Sequence, residues 1–229
     1  MKTPRWMIPV LLALSFGRPA EALDKPELDQ RIRTLTQRFE AMQLKPDRCI
    51  PADTLKRARG IVLLDRTKAG FLFAYQGGSG VALVRDPKTD QWGAASFVEA
   101  NEASLGFQIG GEKAFFVLLL MNTNATRLLT EPNFSFGGEA RGTAAENSAG
   151  AEGLVNPAGQ SVLVFDERKG LYGGAAIKGG AISPDDRANI VYYDAPVSIA
   201  DILFAGKVKP TESASALAEK IDGRKLARP

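Results

Sequence analysis

The amino-acid sequence predicts an α+β domain, mostly β, in which a curved antiparallel or barrel-like sheet carries helices at the N- and C-terminal ends. Short β-prone runs alternate with turn residues through the middle of the chain. Glycine pairs recur near the ends of these runs, at 77–78, 110–111, 137–138, 173–174 and 179–180. Such pairs permit sharp bends of a strand or simple hairpin turns, and only a curved sheet that closes on itself would enclose an apolar cavity.

Residues 1–22 have the features of a secretory leader. Lys2 and Arg5 precede a short apolar run at 6–16, and Ala20-Glu21-Ala22 matches the small-x-small cleavage pattern. The run is shorter than the roughly 20 residues that a membrane-spanning helix needs. We therefore expect a signal peptide at 1–22 and a periplasmic or secreted protein peripheral to the membrane. An uncleaved interfacial segment is the alternative.

Charge limits the class of partner. The 229-residue chain has 29 basic and 26 acidic residues, of which Lys2, Arg5, Arg18 and Glu21 lie in the leader. The remainder therefore has 26 basic and 25 acidic residues, a net charge of +1. Because nucleic-acid binding calls for a basic excess, we expect no nucleic-acid partner. Attraction to an anionic membrane would have to come from a local patch.

The segment 23–48 is predicted to be an amphipathic helix. Asp24 and Pro26 are typical of a helix start, and Pro46 of a helix end. Apolar residues at positions i, i+4, i+7, i+11 and i+14 form one stripe: Leu28, Ile32, Leu35, Phe39 and Met42. Such a helix either lies on a membrane or partner, or covers one face of the sheet. Both hold if the helix can undock.

An antiparallel meander is predicted to follow a short helix at 51–59. Its three strands are expected at 61–64, 71–75 and 81–84, separated by a charged turn at 65–68 and a glycine corner at 77–80. A similar order of apolar run, charged turn and glycine returns at 162–171, which predicts a second hairpin within 163–182.

The remaining segments complete the predicted domain. The wholly apolar run 115–121 has the length of a strand and predicts a central strand buried on both faces. Further strands are expected at 92–97, 105–109 and 134–136, a turn at 86–90, and helices at 123–129, after Pro184, at 198–204 and at 212–221. Segment 139–160 lacks periodicity and predicts a long loop. The tail 223–229 is expected to be disordered.

The sequence contains few of the residue types that most catalytic sites use. The chain has no histidine, which excludes Ser-His-Asp and Cys-His catalysis and histidine-ligated zinc or haem. Cys49 is the only cysteine, so neither an intrachain disulfide nor a thiolate cluster can form, and we expect a partly buried, inert thiol. We therefore predict no cofactor, no metal site, no catalytic residues and no enzyme activity. A pair of carboxylates is the remaining option, drawn from Glu99, Glu102, Glu112, Glu139, Glu146, Glu152, Asp185 and Asp186.

Several short motifs occur in a specific order. They are Lys-Ala-Gly-Phe at 68–71, Gly-Gly-Ser-Gly-Val at 77–81, Phe-Gln-Ile-Gly-Gly-Glu at 107–112, Lys-Gly-Leu-Tyr-Gly-Gly at 169–174 and Ser-Pro-Asp-Asp at 183–186. In this order they resemble the SYLF, or Ysc84-type, lipid-binding domain. The resemblance covers roughly 50–204, and we assign the SYLF-like domain to 49–222.

The resemblance implies a non-catalytic lipid-binding protein of the bacterial envelope, with anionic phospholipid or a membrane surface as its partner. We expect a basic rim, in which each residue contributes about 1 kcal/mol near an anionic surface, to act with the apolar stripe. The expected rim residues are Lys56, Arg57, Arg59, Arg66 and Lys68. The alternative is an envelope structural or interaction protein that contacts a protein partner through the 139–160 loop.

Overall fold

One antiparallel sheet crosses the part of the chain that this computed structural model describes: residues 23–69, 75–103, 112–132, 134–136, 154–155, 161–167, 170–171 and 180–223. Its strands are β1 (Gly60–Ala69), β2 (Tyr75–Val84), β3 (Ser96–Ala103), β4 (Glu112–Leu120), β5 (Phe134–Phe136), β6 (Leu154–Val155), β7 (Ser161–Asp166), β8 (Gly170–Leu171) and β9 (Gly180–Pro184). Their order is β5-β9-β3-β2-β1-β4-β7-β6, with β8 beside β7. The predicted α+β class with an antiparallel sheet is confirmed, and the described strands form an open sheet.

Helices cover both faces of this sheet. They are α1 (Lys25–Gln43), α2 (Ala52–Arg57), α3 (Thr123–Arg127), α4 (Asp186–Tyr193), α5 (Ile199–Leu203) and α6 (Glu212–Ile221). One core cluster joins α1, α2, α4 and α6 to the face that carries Ile61 and Leu63. A second cluster joins α3 and α5 to the opposite face, which carries Val62 and Leu64. The alternation along β1 follows from the two-residue period of a strand.

The central strand predicted from the apolar run is confirmed as β4. It lies between β1 and β7, and each of its residues 115–120 is at most 6% exposed. Successive residues of 115–120 belong alternately to the first and the second core cluster. The stretch 115–120 can be wholly apolar because both faces of the sheet are covered here.

Helix α1 covers the sheet with its apolar stripe. The Asp24 carboxylate accepts a hydrogen bond from the Glu27 amide at 2.8 Å and caps the helix start. The five stripe residues Leu28, Ile32, Leu35, Phe39 and Met42 are all at most 2% exposed. The structure thus agrees with the interpretation in which the helix covers one face of the sheet, and the apolar stripe is part of the hydrophobic core.

The first meander differs from its prediction. Residues 65–68 lie inside β1 and residues 77–80 lie inside β2, so neither segment is a turn or corner. The two strands pair continuously from Gly60 and Val84 to Ala69 and Tyr75. Because β4 and β3 pair with their outer sides, ladder hydrogen bonding outweighs the local turn preference of glycine and charged residues. Of the predicted strand 71–75, only Tyr75 is within the described residues.

Most other predicted elements are confirmed. β7 and β8 form the second hairpin through Phe165↔Leu171 and Asp166↔Gly170. α2, α3, α5 and α6 lie within the predicted helical segments, α4 follows Pro184, and β5 is the expected short strand. Of the predicted strand 92–97, only the end belongs to β3, because Trp92 forms just an isolated bridge to Arg85.

One prediction is wrong, and several others concern segments outside the described residues. Cys49 is exposed, with Sγ 3.5 Å from the Pro46 carbonyl oxygen, so the expected partial burial is wrong. The reason is its place on the loop after α1, clear of both core clusters. Segments 1–22, 105–109 and 224–229, and all of 139–160 except β6, lie outside the described residues. Among the helices that are described, none has the length and apolar character needed to cross a bilayer.

Candidate functional site

A groove of about 550 Å³ opens at the end of the sheet where β1 begins and β2 ends. There the second face of the sheet meets α3, α5 and the chain that follows α5. We call it the arginine groove. It is lined by Arg59, Val84, Arg85, Asp86, Pro87, Gly93, Ala94, Thr123, Thr126, Arg127, Ile202, Leu203, Phe204, Gly206, Val208 and Pro210.

The floor of the arginine groove is apolar. Val84, Ala94 and Ile202 line it and belong to the second core cluster. At the mouth, Phe204 is 43% exposed, one of three large hydrophobic residues that are exposed in the described part of the chain. An apolar floor with an exposed aromatic residue at its edge suits a ligand that has a hydrocarbon part.

Helix α5 forms one wall of the arginine groove. A capping box fixes its start, because the Ser198 hydroxyl accepts the Asp201 amide at 3.2 Å and the Asp201 carboxylate accepts the Ser198 amide at 3.0 Å. A Lys207 ion pair at 2.8 Å and the bonds of this box together lower the pKa of Asp201 to about 2. The chain then turns at Gly206, which has a φ of 61°. Glycine adopts such a left-handed backbone conformation at little cost.

The three arginines of the groove differ in their pairing. Arg85 is 7% exposed, lies over the Trp92 ring at 4.2 Å and donates to the Asp222 carboxylate at 2.6 Å. Arg59 is paired with Asp90 at 2.7 Å. Arg127, at the end of α3, is exposed and forms no ion pair within the described residues. Arg127 is therefore the cation that the described part of the groove leaves available.

A carboxylate also lines the groove. Asp86 begins the turn predicted at 86–90, which the structure confirms, since its Oδ1 accepts the amides of Lys88 and Thr89 at 2.8 and 2.9 Å. These hydrogen bonds from the backbone lower the pKa of Asp86. Because Asp86 stays negative, an anionic ligand is favoured at the Arg127 side of the groove and disfavoured at the Asp86 side.

The structure does not bring the five predicted rim residues together. Lys56 and Arg57 are exposed at the end of α2, and Arg59 lines the groove two residues later. The backbone of Arg66 and Lys68 lies far along β1. At about 3.3 Å per residue, Lys68 lies roughly 30 Å from Arg59. The five residues therefore do not form one continuous rim. Lys56, Arg57 and Arg59 lie near the start of β1, and Arg66 and Lys68 lie toward its other end.

The predicted apolar stripe also lies apart from the groove. Leu28, Ile32, Leu35, Phe39 and Met42 pack in the first core cluster, whereas the groove borders the second. These side chains contact lipid only if α1 leaves the sheet.

Sequence reasoning missed Arg127 and the wall formed by α5. Both α3 and α5 were predicted as helices, so their existence was accessible. Their meeting was not, because Arg127 and Phe204 are separated by 77 positions and no local pattern links them.

The structure describes only some of the carboxylates considered for catalysis. Asp185 caps α4 through the Ala188 amide at 2.9 Å and lies 3.8 Å from Arg31, which is a structural role. Within the described residues there is no cluster of three or more histidine, cysteine or acidic side chains able to hold a metal ion. Glu139, Glu146 and Glu152 lie outside the described residues.

Comparison with known proteins identifies relatives. A family model named Ysc84 and described as "Las17-binding protein actin regulator" matches residues 101–224. LAS seventeen-binding protein 3 of Saccharomyces cerevisiae is 30% identical over 187 residues, which cover 78% of this chain and 39% of that protein. Protein YSC84 of the same organism is 32% identical over 182 residues, which cover 78% and 38%.

An animal relative is similar to the same extent. SH3 domain-containing YSC84-like protein 1 of Homo sapiens is 30% identical over 172 residues, which cover 73% of this chain and 49% of the human protein. The chain thus spans between 38% and 49% of the length of these relatives. No solved structure matches. The family model covers more than half of the chain and agrees with the motifs at 107–112, 169–174 and 183–186, so the chain belongs to the SYLF, or Ysc84-type, family.

Proposed function

We propose that this protein is a non-catalytic lipid-binding protein of the bacterial envelope that contacts anionic phospholipid at a membrane surface through the arginine groove. The observation that carries the proposal is the combination of an apolar floor with an exposed lining residue, Arg127, that forms no ion pair within the described residues. The predicted leader at 1–22 adds the periplasmic or secreted location to the proposal.

Electrostatic attraction supplies the first part of the contact. Arg127 and Arg57 are exposed without an ion pair in the described part of the chain, whereas Arg59 is paired with Asp90 at 2.7 Å and Lys56 with Asp53 at 3.8 Å. Each of the two arginines without an ion pair contributes about 1 kcal/mol near an anionic surface, and salt screens the contribution beyond a Debye length of about 10 Å at 0.1 M. Since Arg66 and Lys68 lie at the other end of β1, they would contact lipid only through a second surface.

Shallow insertion supplies the second part. Phe204 is already 43% exposed at the mouth, so it can enter the interfacial region without any change of fold. Insertion of the α1 stripe would instead uncover the apolar side chains of the sheet face that α1 now covers, each at a cost of about 1.5–3 kcal/mol when exposed to water. It would also break the Arg38 ion pairs with Asp65 and Glu167, both at 2.6 Å. We therefore assign insertion to Phe204, and to the α1 stripe only if the helix undocks.

Vesicle co-sedimentation tests this function. The protein is mixed with vesicles of neutral lipid, and with vesicles that contain phosphatidylglycerol, at low and high salt. We expect pelleting with the anionic vesicles only, reduced at high salt. Arg127→Glu and Arg57→Glu should each weaken it, because both place a negative charge at the groove end.

Arg187→Glu is the matched control, since Arg187 is exposed on α4, which packs on the opposite face of the sheet. Equal pelleting on neutral and anionic vesicles would remove the proposal. Hydrogen exchange of the α1 amides on vesicles decides separately whether the helix undocks: protection that is unchanged on lipid binding keeps the stripe in the core.

A protein partner is the second candidate. One relative is named LAS seventeen-binding protein 3, and the family model is described as "Las17-binding protein actin regulator", which favours it. In this alternative, the 139–160 loop contacts an envelope protein. Deletion of residues 139–153, which leaves β6 in place, should abolish a specific pull-down while vesicle binding persists. Loss of vesicle binding by the same deletion would argue against two separate surfaces.

A further inference from the structure

We propose that the arginine groove holds one long-chain fatty acid, with its carboxylate at Arg127 and its acyl chain along the apolar floor. This inference rests on the proposed lipid-binding function and names the ligand class. It differs from surface contact because the ligand leaves the bilayer and lies inside the protein.

The charge of the groove selects a monoanion. Two of its three arginines are already neutralised, Arg85 by Asp222 at 2.6 Å and Arg59 by Asp90 at 2.7 Å. Arg127 alone among them is exposed without an ion pair in the described part of the chain. A single guanidinium fork matches the two oxygens of one carboxylate.

The size of the groove selects a single chain. Its volume of about 550 Å³ lies within the range of pockets for small ligands, roughly 300–1,000 Å³. The floor formed by Val84, Ala94 and Ile202 offers apolar contact without a polar group that a hydrocarbon would leave unpaired. A fatty acid needs only one polar partner, and Arg127 is that partner.

The Asp86 carboxylate in the groove sets the direction of the ligand. Asp86 is negative and already accepts two backbone amides at its turn. A ligand carboxylate beside it would be repelled, so the head is placed at α3 and the chain extends along α5 toward Phe204. The exposed Phe204 ring then closes over the hydrocarbon near the mouth.

Titration of the purified protein with monomeric palmitate by calorimetry tests this proposal. We expect one site per chain. Arg127→Glu should weaken the affinity at least about tenfold, the loss expected for one charge-assisted hydrogen bond. Arg127→Lys, which keeps the charge but not the fork, should bind with an intermediate affinity. Methyl palmitate, which lacks the charge, should bind the wild-type protein as weakly as palmitate binds the Arg127→Glu variant.

Arg57→Glu is the matched control. Arg57 is the last residue of α2 as Arg127 is of α3, and it is exposed, but it does not line the groove. It should therefore weaken binding to anionic vesicles and leave palmitate affinity within about twofold. The circular dichroism spectrum of each variant shows whether the fold is retained.

The outcomes separate the two proposals. Equal palmitate affinity of the wild type, Arg127→Glu and Arg57→Glu proteins overturns the fatty-acid inference. Binding to anionic vesicles without any palmitate binding overturns it too, but leaves the proposed function standing. Absence of both overturns both. Native mass spectrometry of the purified protein adds an independent readout: a retained fatty acid supports the inference, whereas a retained phospholipid or peptide at one per chain overturns it.

Discussion

Asp29 joins three helices through one carboxylate. Its Oδ1 accepts hydrogen bonds from the hydroxyls of Ser213 at 2.6 Å and Tyr192 at 3.0 Å, and its Oδ2 accepts the Arg33 Nε at 2.8 Å. These partners lie on α6, α4 and α1 itself. Tyr192 is 1% exposed, and its hydroxyl also lies 2.8 Å from the Thr211 hydroxyl. This single side chain therefore ties α1 to the C-terminal helices.

The pKa of Asp29 makes this junction sensitive to acid. Burial raises that pKa, but the hydrogen bonds from Ser213, Arg33 and Tyr192 outweigh burial and lower it overall. Because the folded-state pKa lies below the unfolded value of about 3.9, the ionised group stabilises the fold above that pH. The stabilisation is lost as the pH falls through the folded-state pKa.

We expect Asp29→Asn to lower the free energy of unfolding at pH 7 and to lose less stability than the wild type between pH 7 and pH 3. Urea unfolding at both pH values measures this difference. Asp53→Asn is the control, because Asp53 has a 93% exposed side chain and only a 3.8 Å ion pair with Lys56. Identical losses on acidification in the wild type and Asp29→Asn would contradict the assignment.

Residue type alone does not reveal which arginine is free. Arg59 and Arg127 are both exposed and both follow or end short helices, yet among the residues that the structure describes only Arg59 has an acidic partner, Asp90. Asp90 is available to it because the turn at 86–90 places this residue at a φ of 58°. The pairing is thus a consequence of turn geometry 31 residues away in the chain.

At the scale of elements, β2 shows why the glycine corner was not formed. A Cβ atom at Gly80 would lie 2.5 Å from the Leu63 carbonyl oxygen and 3.1 Å from the Leu64 side chain. Glycine is required here because the neighbouring strand β1 approaches closely, which is the other common reason for glycine within a strand. The same letters that suggest a turn therefore permit tight strand pairing.

We expect Gly80→Ala to lower the free energy of unfolding by about 1–3 kcal/mol, since the new methyl group meets backbone that cannot move without breaking the ladder. Gly93→Ala is the matched control, because its nearest contact would be the Val84 carbonyl oxygen at 3.3 Å. Denaturant unfolding of both variants provides the comparison. A Gly80→Ala protein as stable as Gly93→Ala would show that β1 and β2 are less closely paired.

The helical spacing of apolar residues in α1 is compatible with two interpretations, membrane contact and packing on the sheet. An apolar stripe with helical spacing is equally suited to a lipid surface and to a sheet. The polar contacts of the helix decide between them, because the Arg38 bonds to Asp65 and Glu167, the Lys220 bond to Glu40 and the Asp29 junction all require the docked position. Their partners come from distant parts of the chain.

At the scale of the whole molecule, Arg85 and Asp222 connect the end of β2 to the end of α6 across 137 positions. The guanidinium also donates to the carbonyl oxygens of Ala58 and Asp90, and the Asp222 carboxylate also accepts the Trp92 Nε1 at 3.0 Å. Arg85 lines the arginine groove and is buried, whereas Asp222 is partly exposed and does not line it. The residue that follows α6 therefore helps to hold one groove-lining side chain in place.

We expect Asp222→Ala to lower the free energy of unfolding by about 3–5 kcal/mol, because it leaves a buried guanidinium without its counter-ion. Asp222→Asn, which retains an acceptor, should be intermediate. Asp47→Ala is the control, since the Asp47 side chain is 72% exposed beside Arg48. Thermal or urea unfolding gives the values, and an effect no larger than that of Asp47→Ala would contradict the role of this pair.

The fold class and most elements were predictable because local patterns specify them. The apolar run of β4, the signals of α4, α5 and α6, and the β7–β8 hairpin depend on neighbours within a few residues. Strand limits in β1 and β2 were not predictable, because pairing across the sheet overrode turn preferences at 65–68 and 77–80. The groove was not predictable either, since Arg127 and Phe204 meet through the packing of α3 and α5.

By itself, the sequence determined the α+β class, the central strand, the amphipathic character of α1, the absence of histidine chemistry and membership of the family through ordered motifs. Only the tertiary structure decided that the α1 stripe is core and that the five basic residues lie at two ends of a strand. It also decided that, among the residues it describes, Arg127 is the groove arginine without an ion pair. Side-chain type and spacing act over a few residues, whereas burial and ion pairing depend on segments that the sheet brings together from far along the chain.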